Sequence, residues 1–185
     1  MKKNSTMKLA MTGLLIAIGI VIPMFSPVKI LIEPASFTLA SHVAIFIAMF
    51  ISPAVAVAVA VGTTIGFLFG GFPIIVVLRA ATHIIFAFLG SLYIHKILKK
   101  RLSVINLGIF SFCIAAIHAV GELVVVSIFY YGGNISPAHI QQGFVMSVLL
   151  LVGLGTIIHS MIDFWLAYVI MLPLKKLFPE YFAKN

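Results

Sequence analysis

Arg79 and His83, His118 and Glu122, and His159 and Asp163 form three pairs of ionisable residues, each four positions apart, in a chain where only 9% of residues are charged. Residues four apart share one face of an α-helix, so each pair predicts a polar stripe on an otherwise apolar helix. A guanidinium presents a planar fork of donors to a carboxylate, which suits Arg79 to hold an anion. His83, His118 and Glu122 are acceptable metal ligands. The adjacent positive charge of Arg79 opposes a cation there, so no metal and no cofactor is expected. A structural alternative stands beside this: Arg79 and Glu122 neutralise one another as a buried pair, and His159–Asp163 holds helices in register. Ser41 and His42 are adjacent, which is too little to build a hydrolase on, and His95 and His139 read as interfacial or loop residues.

These stripes need helices, and composition says which solvent the helices meet. The chain has 185 residues, 63% of them hydrophobic, and a mean hydropathy of +1.25. Soluble domains carry about 25% charged residues, and a chain this short could not hide so much apolar surface from water. A span needs ~20 mostly apolar residues. Six are read, at Lys8–Pro27, Phe37–Ser52, Pro53–Gly70, Pro73–Ile97, Val104–Tyr131 and Phe144–Leu172. Pro53 disfavours helix in the residue before it, so spans two and three break there. Val28–Ser36 is apolar but not helical throughout, and is expected to fold over the protein as a cap. The first apolar segment lacks a small-residue cleavage site and is not read as a signal peptide.

The charge pattern gives these spans a direction. Lys2, Lys3, Lys8, Lys96, Lys99, Lys100, Arg101, Lys175, Lys176 and Lys184 fall on one side, and Lys29 on the other. An excess of Lys and Arg marks the cytoplasmic side. The expected architecture is therefore an all-α membrane protein, a six-transmembrane-helix bundle with N and C termini cytoplasmic, in a single domain covering residues 1–185. The net charge of +8 does not signal nucleic acid, because the basic residues lie at span ends and form no aromatic-interleaved patch.

Depth along the spans groups the polar residues. At ~1.5 Å per residue, Arg79 lies about 9 Å and His83 about 15 Å from the outer end of the fourth span. Glu122 and His118 fall at comparable depths on the fifth, so these four can line an outward-opening pocket, with Asp163 deeper. On the first span, Ala10, Gly13 and Ala17 make a small-residue face that serves either internal packing or docking of another membrane protein. Ala54, Ala56, Ala58, Ala60 and Gly62 alternate like a strand, but a lone strand cannot span lipid, so a helix with two small-residue faces is read. No GxxxxGK[ST] phosphate loop is present, so the chain does not use ATP by itself.

Along its whole length the chain resembles the substrate-binding S-components of energy-coupling factor vitamin transporters. The residues carrying the resemblance are Gly13-xxx-Ala17, in place of that family's Ala-xxx-Ala docking motif, and Ala35-Ser-Phe-Thr-Leu-Ala-Ser-His-Val43 followed by Phe46-Ile-Ala-Met-Phe-Ile-Ser-Pro53. Gly62-Thr-Thr-Ile-Gly66 and Leu78-Arg-Ala-Ala-Thr-His83 complete it, and together they look most like niacin-type S-components. The resemblance implies a multi-pass subunit of the cell membrane, not an enzyme. It would capture a water-soluble vitamin outside (niacin, with pantothenate or another small anion as alternatives). It would then hand the vitamin over through a transmembrane coupling protein and two ATPase subunits. It also implies substrate-binding roles for Arg79, His83, His118, Glu122 and Asn134, and a coupling-protein docking face at Ala10, Gly13 and Ala17. Two other classes remain open: an intramembrane metal-dependent enzyme using His83, His118 and Glu122, and a proton-coupled secondary transporter using His159–Asp163.

Overall fold

The computed structural model describes residues 2–97 and 103–182; the basic residues Lys99, Lys100, Arg101 and Lys184 of the orientation argument lie outside them. The first helix, α1 (Lys2–Phe25), leads into a β-hairpin of β1 (Lys29–Ile32) and β2 (Ala35–Thr38). The strands are antiparallel, with Lys29 opposite Thr38 and Ile32 opposite Ala35. Then come α2 (Val43–Ile51), α3 (Pro53–Phe69), α4 (Ile74–Lys96), α5 (Val104–Tyr131) and the short α6 (Pro137–Gln142). A π-helical segment, Val145–Leu154, continues directly into α7 (Gly155–Leu177), and a 3₁₀ turn closes the described chain.

Four helical stretches are long and apolar enough to cross a membrane: Ser5–Phe25, Ile74–Lys96, Val104–Tyr131 and Val145–Leu177. α3 is apolar but shorter, at 17 residues. Helix starts follow local chemistry. Ser52 caps α3 by accepting from the Val55 N–H at 3.2 Å, with Pro53 in the first turn. Ser103 does the same for α5 through Asn106, also at 3.2 Å. Both are the short polar side chains that satisfy orphan N–H groups at a helix start. Pro73 sits one residue before α4 rather than inside it.

The second expected span is where the structure departs from the sequence reading. Phe37 and Thr38 belong to β2, and helix begins only at Val43. The Asp163 carboxylate is the reason: it accepts the backbone N–H groups of Ala40 at 2.7 Å and His42 at 3.0 Å. Those donors are fixed in a turn, with Ala40 at φ 69°, and a helix cannot run through it. α2 keeps nine residues, all of them buried. At ~1.5 Å per residue it is far too short to cross a bilayer. It packs among α1, α3, α4 and α7 as the centre of the main apolar core.

α1 lies against α3 through glycines. A Cβ on Gly62 would sit 2.5 Å from Ile16 Cδ1, and one on Gly66 would run into Ile20. Small residues allow helix backbones to approach closely in lipid. Ala10, Gly13 and Ala17 play no part in that packing. All three are exposed, and a Cβ on Gly13 would meet nothing within 4 Å. In α3, Ala56 and Ala60 face the core while Ala54 and Ala58 are exposed, giving the two small-residue faces of a helix.

Candidate functional site

The polar stripe of α4 is carried by Arg79 and His83, both buried in the half of the helix nearest the hairpin. Arg79 NH1 donates to the Pro34 carbonyl at 3.0 Å, and NH2 donates to Glu122 Oε2 at 2.9 Å. One guanidinium thus ties the hairpin turn to α5. Thr156, at the start of α7, donates to the same Glu122 Oε2 at 2.6 Å. The short distance is that of a hydroxyl bonded to a charged oxygen. Glu122 Oε1 faces two imidazoles, with His118 Nε2 at 3.4 Å and His83 Nε2 at 3.7 Å. Among the described residues, Arg79 Nε, His83 Nε2 and both ring nitrogens of His118 are buried without a hydrogen-bond partner.

A second carboxylate anchors the other half of the cluster. Besides its two backbone donors, Asp163 Oδ2 lies 3.0 Å from His42 Nδ1 and 3.4 Å from both Ser41 Oγ and His159 Nε2. Ser41 Oγ bridges the His42 and His159 rings at 3.1 Å each. His42 is the joint between the two halves: its ring centroid lies 4.8 Å from His83, 4.6 Å from His118 and 5.1 Å from His159. Asp163 therefore belongs to the same connected network as Glu122, not to a separate deeper site.

Beside this network lies a cavity of about 420 Å³, within the range of small-molecule sites. Its roof is the hairpin, through Lys29, Leu31 and Glu33 to Ser36; Thr63 and Phe67 of α3 and Phe72 and Val76 form walls. Arg79, His83, His42 and Glu122 line it as well. The segment expected to cap the protein does contribute to this enclosure, as a hairpin.

Of the residues singled out from sequence, Arg79, His83, His118 and Glu122 come together. Three of them line the cavity; His118 does not, being enclosed behind them with 1% of its surface exposed. Asn134 is not brought to the cavity: it is exposed, and its Nδ2 donates to Gly132 O within its own loop. The hairpin, the start of α2 and α3 supply most of the wall, α4 contributes Ile75 to His83, and among the described residues Glu122 is the one from α5 that lines it. Sequence reasoning missed His42, Ser41, Thr63 and Thr156. A histidine inside an apolar run was a usable signal for His42, but its carboxylate partner is 121 positions away and shows no periodicity.

The chain is similar to the niacin transporter NiaX of Lactococcus lactis subsp. cremoris (strain MG1363). The two are 41% identical over 179 residues, covering 96% of this chain and 79% of that one. No family model matches the chain, and no solved structure matches it.

Proposed function

The chain belongs to the niacin-type S-components of energy-coupling factor vitamin transporters, and from that premise we propose that it captures niacin itself, in the cavity beneath the hairpin. Membership in a transporter family removes the enzymatic alternative. The observation that supports the substrate reading is Arg79, which lines the cavity and whose buried Nε has no partner among the described residues. A carboxylate can bond to that edge without displacing Glu122, which occupies NH2. The competition that an Arg79–Glu122 pair would otherwise impose on an anionic substrate is thereby avoided. His83, one helical turn further, is ~5–6 Å away between Cβ atoms, a spacing suited to the ring nitrogen of a pyridine carboxylate held at Arg79. Apolar lining from Phe67, Phe72 and Val76 suits the ring.

In this reading the cytoplasmic termini and the outward-facing cavity follow the charge asymmetry of the sequence; of the six apolar stretches, the one holding α2 does not cross the bilayer by itself but enters the bundle as a buried leg from which α3 returns. ATP enters through a separate coupling protein and two ATPases at the cell membrane. Support for docking on α1 is that Ala10, Gly13 and Ala17 are exposed and unused in internal packing.

The test is a calorimetric titration of the purified protein with nicotinate and with nicotinamide, in the absence of ATP. Nicotinate is expected to bind one to one and nicotinamide much more weakly. Arg79→Ala is expected to lose about 30-fold or more in affinity, at the ~2–5 kcal/mol typical of truncating a buried charge pair. Undiminished nicotinate binding by Arg79→Ala would remove that residue from the site.

A further inference from the structure

His42, His83 and His118 come from three different helical regions, yet each offers a ring nitrogen within 4.8 Å of the other two. Their centroids are 4.8, 4.6 and 4.7 Å apart, nearly an equilateral triangle, and the rings meet edge-on at 71°, 68° and 86°. Edge-on contact at these distances is itself a favoured packing of aromatic rings. Packing alone still leaves polar atoms stranded. His83 Nε2 and both nitrogens of His118 are buried without a hydrogen-bond partner among the described residues. Buried polar groups in folded proteins are paired, and each exception calls for a physical explanation such as an ion.

We propose that the triangle His42–His83–His118 is a transition-metal site at the floor of the cavity. It would hold one divalent cation of the zinc class, whose remaining coordination position faces the substrate. Imidazole selects zinc, nickel, copper or cobalt over magnesium and calcium, which prefer oxygen. Three protein ligands with one open position are the arrangement of zinc sites that exchange a water for a substrate atom.

The surroundings fit a cation in three ways. First, Asp163 Oδ2 engages His42 Nδ1 at 3.0 Å. A carboxylate behind a histidine fixes its tautomer and turns the opposite nitrogen toward the metal. Second, Arg79 does not oppose the ion as sequence alone suggests, because Glu122 pairs with its NH2 at 2.9 Å. Third, Arg79, Glu122 and Asp163 sum to one negative charge with neutral imidazoles, and Lys29 and Glu33 cancel at the cavity's roof. An anion entering so buried a site meets net repulsion, whereas a divalent cation brings cluster and anion together to neutrality.

Tetrahedral coordination at ~2.0–2.1 Å places ligand atoms roughly 3.3 Å apart. The ring nitrogens of the triangle lie within 4.8 Å of one another. Binding would draw the three rings inward to that tetrahedral spacing. The fourth position would face the cavity that His42, His83 and Glu122 line. Its occupant is the ring nitrogen of a heteroaromatic substrate, which His83 would then hold through the ion and not directly; this part of the inference rests on the vitamin reading above.

The experiment strips purified full-length protein with a chelator, then titrates it with Co²⁺, followed by visible absorption, and with Zn²⁺, followed by elemental analysis. One equivalent per chain is expected, with the intense visible bands of four-coordinate cobalt and a change in those bands when nicotinate is added. His118→Gln, whose side chain does not line the cavity, is expected to lose the ion, as is His42→Gln. Wild-type protein that takes up no stoichiometric ion overturns the site whether or not the variants fold. So does full metal retention in both variants. If no ion binds but nicotinate affinity is unchanged, the metal inference falls and the vitamin reading stands. If the ion binds and nicotinate neither binds nor perturbs its spectrum, the metal site stands and the substrate reading falls.

Discussion

Glu122 and Asp163 each follow a histidine by four positions, on neighbouring helices of one bundle, and the two carboxylates do different work. Asp163 is met by backbone: Ala40 N–H on Oδ1 and His42 N–H on Oδ2. It fixes the turn that ends the hairpin and starts α2. Glu122 meets only side chains, Arg79 and Thr156 on one oxygen and two imidazoles facing the other, and it borders the cavity. The same i, i+4 motif therefore serves as a backbone clamp on one helix and as an adjustable wall on the next. What distinguishes them is the partner type: fixed amide donors need a carboxylate there, whereas hydroxyls and imidazoles can turn.

The sharpest way to break this contrast is a pair of isosteric changes. Asp163→Asn keeps shape but places an NH₂ group against one of the two backbone N–H donors. The variant is expected to lose about 3–5 kcal/mol, the cost of breaking a buried charge network. A fall in the thermal midpoint of the purified protein reads it. A midpoint within a few degrees of wild type would show that the turn at 39–42 is held by something else.

The next effect is smaller and lies on the Glu122 side. Thr156→Val removes one of the two donors to Glu122 Oε2 without changing shape. Loss of a hydrogen bond to a charged oxygen is worth about 1.5–3 kcal/mol. The same thermal measurement detects it, together with weakened nicotinate binding as Glu122 swings toward the cavity. Glu122→Gln keeps those hydrogen bonds, since its amide can satisfy Arg79 and Thr156 through the oxygen and an imidazole through the nitrogen. It leaves the buried Arg79 without its counter-charge, so stability falls by about 1.5–3 kcal/mol, less than in Asp163→Asn. With a negative charge gone from the wall, nicotinate affinity rises by up to about tenfold, or ~1.4 kcal/mol. A Glu122→Gln protein as unstable as Asp163→Asn would erase the distinction between clamp and wall.

The Glu122 side was legible in the sequence because helical periodicity reveals it. Arg79, His83, His118 and Glu122 each lie on a long apolar helix, and spacing alone puts each pair on one face. The clamp was not legible, because its contacts span 121 to 123 positions and involve backbone atoms that side-chain identity does not encode. The same hidden contact explains the second span. Residues 37–51 are as apolar as a lipid-facing helix, and burial inside protein and burial in lipid ask for the same side chains. Only the structure shows that α2 is enclosed by other helices and that β2 precedes it. The small-residue face at Ala10, Gly13 and Ala17 was ambiguous for a related reason. Composition permits either close packing or docking, and only the position of α1, whose Ile16 and Ile20 sit on Gly62 and Gly66 of α3, shows that the internal contact is made elsewhere.

The smallest expected effect tests where the cavity ends. Asn134 follows α5, in a loop for which the family resemblance implies a substrate-binding role. The structure instead leaves it exposed, bonded to Gly132 O at 3.0 Å. Replacing it with Ala removes one solvent-accessible bond in a local turn, worth no more than about 0.5 kcal/mol at such a surface position. Nicotinate affinity is expected to stay within twofold of wild type in a titration beside Arg79→Ala. A tenfold loss in Asn134→Ala would mean that the loop closes over the ligand from the α5–α6 side. The binding wall would then extend past Glu122, and the hairpin would no longer be the principal cover of the site.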